Sequence, residues 1–190
     1  MITKILIDGT KLNSEDRRAK MSQVALEIHQ VLNSTVFRDK VMKMRTHGER
    51  SEYKKASNVE IYQMLMRGAE VLNPVVDYTW NIYIDDYYSF KNVIGYTKLN
   101  TKYIYVNTKF FDGRITKLIG SNIVHEQSHK LGFSHDFRNT KDREFSVSYQ
   151  LNKAYEAAYD ILFGYQPTNL KTCTRSWRNL WRQKCSWKWV

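Results

Sequence analysis

Apolar residues recur along this chain with two periods, and the switches between them mark out elements. Ile2 to Ile7 predicts a strand, ended by Asp8-Gly9. Ser14 predicts a helix cap, with Glu15 and Asp16 at the positive end of the helix. Met21, Val24, Ala25, Ile28, Val31 and Leu32 then fall on one helical face. Val36 to Met44 reads as a strand. Ser57-Asn58-Val59-Glu60 is a capping-box sequence, and Ile61, Leu65, Ala69 and Leu72 follow it as a stripe that Pro74 is expected to stop.

Val76 to Ile84, Val93 to Leu99 and Tyr103 to Phe111 are rich in β-branched and aromatic residues and predict three strands. Asn100-Thr101 suits a hairpin-like turn between the last two. A helix is expected from about Asp112-Gly113, with Ile115, Leu118, Ile119 and Ile123 buried. Another runs from Ser146 to Leu162, with Leu151, Ala154, Ala158 and Ile161 inward and Gly164 as its stop. Strands and helices mixed in this order imply an α+β body.

Composition narrows the picture. The chain has 190 residues, 42% hydrophobic and 26% charged, which excludes wholesale disorder and suits one domain with room for a small extra lobe. No apolar run approaches the roughly 20 residues of a membrane span. The N-terminal apolar stretch is too short for a secretory signal and is interrupted by Asp8, so the expectation is a cytoplasmic chain at synthesis. Thirty basic residues against nineteen acidic give a net charge of +11, which attracts polyanions or simply solvates a surface.

That charge is uneven. After Asp160 there is no acidic residue, while six Lys and Arg and four of the five tryptophans follow. The chain therefore divides into a body, residues 1–167, and a basic Trp-rich tail, residues 168–190. The tail suits docking on an anionic protein, a membrane surface or, less favoured, nucleic acid; alternatively its tryptophans fold back onto the body. Cys173 and Cys185 are too few for a disulfide framework and are expected as free thiols, or as one bridge under oxidising conditions.

The chemistry concentrates in His125-Glu126-Gln127-Ser128-His129-Lys130-Leu131-Gly132-Phe133-Ser134-His135-Asp136. His125 and His129 stand one helical turn apart on one face, where two imidazoles can share a metal ion. Glu126 is rotated by about 100° from His125, close to the ion without being bound to it, as a general base requires. Gly132 can end the helix in a left-handed turn, which brings His135 back as a third ligand. Three neutral imidazoles and one water make a four-coordinate catalytic zinc site, in which Glu126 deprotonates the water held by the ion. The other histidines, His29 and His47, read as structural, and Asp85-Asp86, adjacent on a strand, point to opposite faces.

This HExxHxxGxxH run resembles the zinc-binding motif of the metzincin clan of peptidases, and Asp136 after the third histidine is similar to the adamalysin form. The order of strand, long backing helix, further strands and active-site helix resembles the clan as well. The resemblance implies a zincin-like fold with a twisted mixed sheet, a backing helix, an active-site helix and a small C-terminal lobe. It implies one Zn2+ on His125, His129 and His135, a base at Glu126, and a peptide or protein substrate added as a strand along an edge, with Val93 to Leu99 as the positional candidate. Metzincins carry a methionine in a turn beneath the metal; here all six methionines precede the motif, and Val147 or Ser148 takes that place.

Tyr149 resembles the tyrosine that astacin-like and serralysin-like members set near zinc, or else packs in a helix's first turn. Asp136 either holds a turn or a ligand ring from behind the metal, or is a surface acid. The short linker to Tyr149 and the missing methionine make the chain look like the small zincin-like peptidases of some bacteriophages, which adds virion association to the expected locations. The function expected is therefore a zinc-dependent endopeptidase. The rival expectation is a catalytically silent structural or virion component that keeps its zinc site and docks through the basic tail.

Overall fold

The computed structural model describes residues 3–46, 56–98, 100–135 and 143–164. They form an α+β structure around a four-stranded mixed sheet. β1 (Lys4–Asp8) pairs in parallel with β2 (Thr79–Tyr87), and β2 pairs in parallel with β4 (Tyr103–Asn107). β3 (Gly95–Thr97) runs antiparallel to β4 and ends the order β1-β2-β4-β3. Asn100-Thr101 accordingly sits in the connection between two antiparallel neighbours.

Alternation along the strands separates two faces. Trp80, Ile82 and Ile84 of β2 and Ile104 and Val106 of β4 are buried under the helices. The Trp80 indole nitrogen satisfies itself by donating to the Leu65 carbonyl at 2.7 Å. Side chains of this size each stabilise the fold by about 1.5–3 kcal/mol when fully buried. The other face carries Tyr83, Tyr96, Tyr103 and Tyr105, with Tyr96 and Tyr105 stacked at 4.9 Å between ring centroids.

α1 (Glu15–Leu32) begins where Ser14 accepts from the Arg17 amide, and it buries Met21, Val24, Ile28, Val31 and Leu32. It packs against β1 and against the two long helices α5 (Thr116–Lys130) and α6 (Val147–Phe163). The segment expected as a strand at Val36 to Met44 is instead α2 (Thr35–Met42). Ser34 caps it through the Phe37 amide at 3.0 Å, and Phe37 and Val41 bury a helical i,i+4 pair that outweighs the β-branched composition.

α3 (Asn58–Arg67) has the full capping box between Ser57 and Glu60. It stops at Gly68, not at Pro74. Gly68 is left-handed with φ 73°, and a Cβ there would lie 2.3 Å from the Thr79 carbonyl oxygen. Leu72, expected inside, is 52% exposed as a result. The end of the last predicted strand likewise turns into a short helix, α4 (Thr108–Phe111), because the Asn107 side chain caps it through the Lys109 amide. Ile115 caps α5 from an exposed position instead of lying in its buried stripe. Ile161 of α6 is 58% exposed, since the helix outruns its partners there; Gly164 ends it in the left-handed region as expected.

Asp85 and Asp86 do separate to opposite faces. Asp86 is paired with Arg17 at 3.0 Å, and Asp85 faces Lys11 at 3.8 Å. No helix among the described residues is long and apolar enough to cross a membrane. Leu99, His47, Asp136, the tail at 168–190 and both cysteines lie outside the described residues.

Candidate metal centre

α5 is buried on nearly every side through its second half, so the polar residues it carries there are held by protein. His125 and His129 lie one turn apart, with ring centroids 5.0 Å from each other. The helix then ends in a Schellman turn. Phe133 N donates to Ser128 O at 3.1 Å, and Gly132 N donates to His129 O at 3.0 Å. Gly132 supplies the positive φ of 102° that this turn requires. Buried Phe133 anchors the exit.

The turn returns His135 to the other two histidines. Its ring centroid is 5.3 Å from that of His125 and 4.8 Å from that of His129. The Nε2 atoms of His125 and His135 are 3.2 Å apart, close to the roughly 3.3 Å edge of a tetrahedron with metal–nitrogen bonds of about 2.0–2.1 Å. The three candidate donor atoms all lie within 4.8 Å of one another. His129 Nδ1 donates to the Phe133 carbonyl at 2.8 Å, which leaves Nε2 as the ring's candidate donor atom for a metal.

Burial, reinforced by the neighbouring imidazoles, holds His125 well below the ordinary histidine value and His129 at about 4. Both rings are therefore neutral at pH 7, the form that binds a metal. An all-imidazole set of three donors fits a zinc ion with an open fourth position.

Glu126 follows His125 and faces β3. Its carboxylate accepts the Thr97 amide of that edge strand and the Asn122 side chain one turn earlier on α5. Burial outweighs both hydrogen bonds and pushes it up to about 7. Gly95 lets the strand come this close. A Cβ at Gly95 would lie 2.6 Å from Asn122 Oδ1 and 2.9 Å from the Tyr105 carbonyl oxygen.

Tyr149, in the first turn of α6, closes the other side. Its ring centroid is 4.7 Å from that of His125 and 4.9 Å from that of His135. The Arg143 guanidinium lies 5.0 Å from the centre of the Tyr149 ring and hydrogen-bonds its side chain. Behind the site, Gln127 donates to Glu70 at 2.6 Å and Lys130 pairs with Glu70 at 3.4 Å, which ties the loop after α3 to α5.

The structure thus brings together His125, Glu126, His129, Gly132, His135 and Tyr149. Sequence reasoning missed Asn122, Arg143 and the Thr97 amide. Only Asn122 left a trace in the pattern, four residues before Glu126 on the same helical face. Family models, curated proteins and solved structures yield no match to this chain.

Proposed function

We propose that this chain is a zinc-dependent endopeptidase of the metzincin kind. The observation that carries the reading is the convergence of three imidazoles on one point, with a buried carboxyl, Glu126, next to the first of them along the helix and facing an edge strand. The order of a strand, a long helix over the sheet, further strands and the histidine-bearing helix supports the zincin-like fold that the motif implies. Zinc, when bound, supplies Lewis acidity toward a peptide carbonyl and toward water.

The chain's own residues supply the rest. Glu126 takes a proton from the attacking water and returns it to the leaving amine nitrogen as the carbon–nitrogen bond breaks. A value of about 7 in the metal-free protein marks a carboxyl that exchanges a proton readily near neutrality. Tyr149, held by Arg143, offers its hydroxyl to the oxygen that gains charge. β3 has a paired side toward β4 and, among the described residues, no strand on its outer side, so an extended peptide can add there.

Metal analysis of the purified protein followed by cleavage profiling on a mixed peptide library tests this. Wild type and Glu126→Gln should each carry one zinc, and only wild type should cleave, with a loss of roughly 10²–10⁴-fold in the variant. A zinc-loaded wild type as inert as the variant would instead mark a silent structural component. A protein that takes up no zinc refutes the metal site itself.

A further inference from the structure

Ser128 and Ser148 are both fully buried, at 0% exposure, and their hydroxyl oxygens are 2.7 Å apart across the α5–α6 contact. Ser128 Oγ also lies 2.6 Å from the His125 carbonyl oxygen. A serine hydroxyl has one proton to give. The carbonyl can only accept, so the Ser128 proton goes to His125 and the Ser148 proton goes to Ser128. The ring of His125 in turn hydrogen-bonds the Ser148 carbonyl. Two residues on α5 and one on α6 therefore form a directed chain of hydrogen bonds that ends on the His125 main chain.

Packing alone does not call for these hydroxyls. Alanine fills nearly the same space between two helices and carries no polar atom to desolvate. A hydroxyl pair kept in a dry contact ties the helix turn that carries His125 to α6 at one fixed register.

We propose that the Ser128–Ser148 hydroxyl pair holds the backbone at His125 against α6 and so positions His125 as a metal ligand. Both serines are positioning residues. The inference rests on the reading that the three histidines hold zinc.

The test uses the full chain with Ser148→Ala, Ser128→Ala and the double variant. Zinc affinity is measured by competition with a chromophoric chelator, the ligand field by the visible spectrum of the Co2+ form, and metal-free stability by thermal unfolding. Each single variant should lose about 10–100-fold in zinc affinity and shift the cobalt bands. The double variant should lose little more, because the pair acts as a unit. Variants that bind zinc as tightly as wild type, with an unchanged cobalt spectrum, overturn the inference whatever their melting temperatures, and leave the metal site standing. A wild type that binds no zinc overturns both.

Discussion

Nδ1 of His129 donates to the carbonyl of Phe133 at 2.8 Å, across a turn whose central residue, Gly132, has φ 102°. The same turn thereby fixes the tautomer of His129 and returns His135 to the other two histidines. Gly132→Ala forces a side chain into a conformation that costs of order 1–3 kcal/mol. Relief of that strain moves Phe133 and His135 together. The expected result is a loss of about 1–2 kcal/mol in urea unfolding and a drop of at least tenfold in zinc affinity by chelator competition. Unchanged affinity would show that His135 does not depend on the turn.

Gly95→Ala tests the other wall. The added Cβ meets Asn122 and the Tyr105 carbonyl, so the edge strand must move off α5. Glu126 then loses the Thr97 amide. Zinc content should stay at the wild-type level, because no histidine is touched. The rate of peptide cleavage should fall about 10–100-fold, mainly in kcat, because the proton acceptor is misplaced by a fraction of an ångström or more.

What the sequence made legible were contacts that close within a turn or two. The Ser14 and Ser57 caps, the α1 stripe and the His125, Glu126, His129 and Gly132 pattern all depend on neighbours at most seven residues away. α2 was hidden because a Ser34 cap and a Phe37–Val41 pair competed with a β-branched run. The end of α3 was hidden because Gly68 answers to the Thr79 backbone, a contact made only in the folded chain. The parts of the site that orient the motif are of that second kind: Ser128 with Ser148, Glu126 with Thr97, and Gln127 with Glu70. Residue type at one position carries no trace of a partner 20 or 57 residues away.

Glu70 neutralises Lys130 where both are nearly buried, and it accepts from Gln127 at the same time. Burial lowers Lys130 from the ordinary lysine value, which Glu70 opposes. Glu70→Ala strands that ammonium and should cost about 3–5 kcal/mol in urea unfolding. Replacing both partners, as Glu70→Leu with Lys130→Met, should recover a large part of the loss. Equal damage from the single and double variants would show that the loop after α3, and not the charge, carries the effect.

The metal-free protein should show opposed pH dependences from neighbouring residues. Glu126 is raised from 4.5 to about 7, so the stability linked to its protonated form is complete below about pH 4.5 and is lost as pH rises through 7. His129 is lowered from 6.5 to about 4, so the stability linked to its neutral form is complete above about pH 6.5 and is lost as pH falls through 4. Between pH 4.5 and 6.5 Glu126 offsets part of the histidine effect, and because burial lowers His125 as well, the net stability rises with pH there. Glu126→Gln removes only the first. The variant's stability relative to wild type should therefore climb from pH 4.5 to 7, by about 1.4 kcal/mol for each pKa unit that burial imposes on the carboxyl. Urea titrations at fixed intervals across this range, with chelator present, measure it. A difference between the two proteins that stays constant with pH would mean that Glu126 titrates in the folded chain as it does in the unfolded one, so that burial does not raise it.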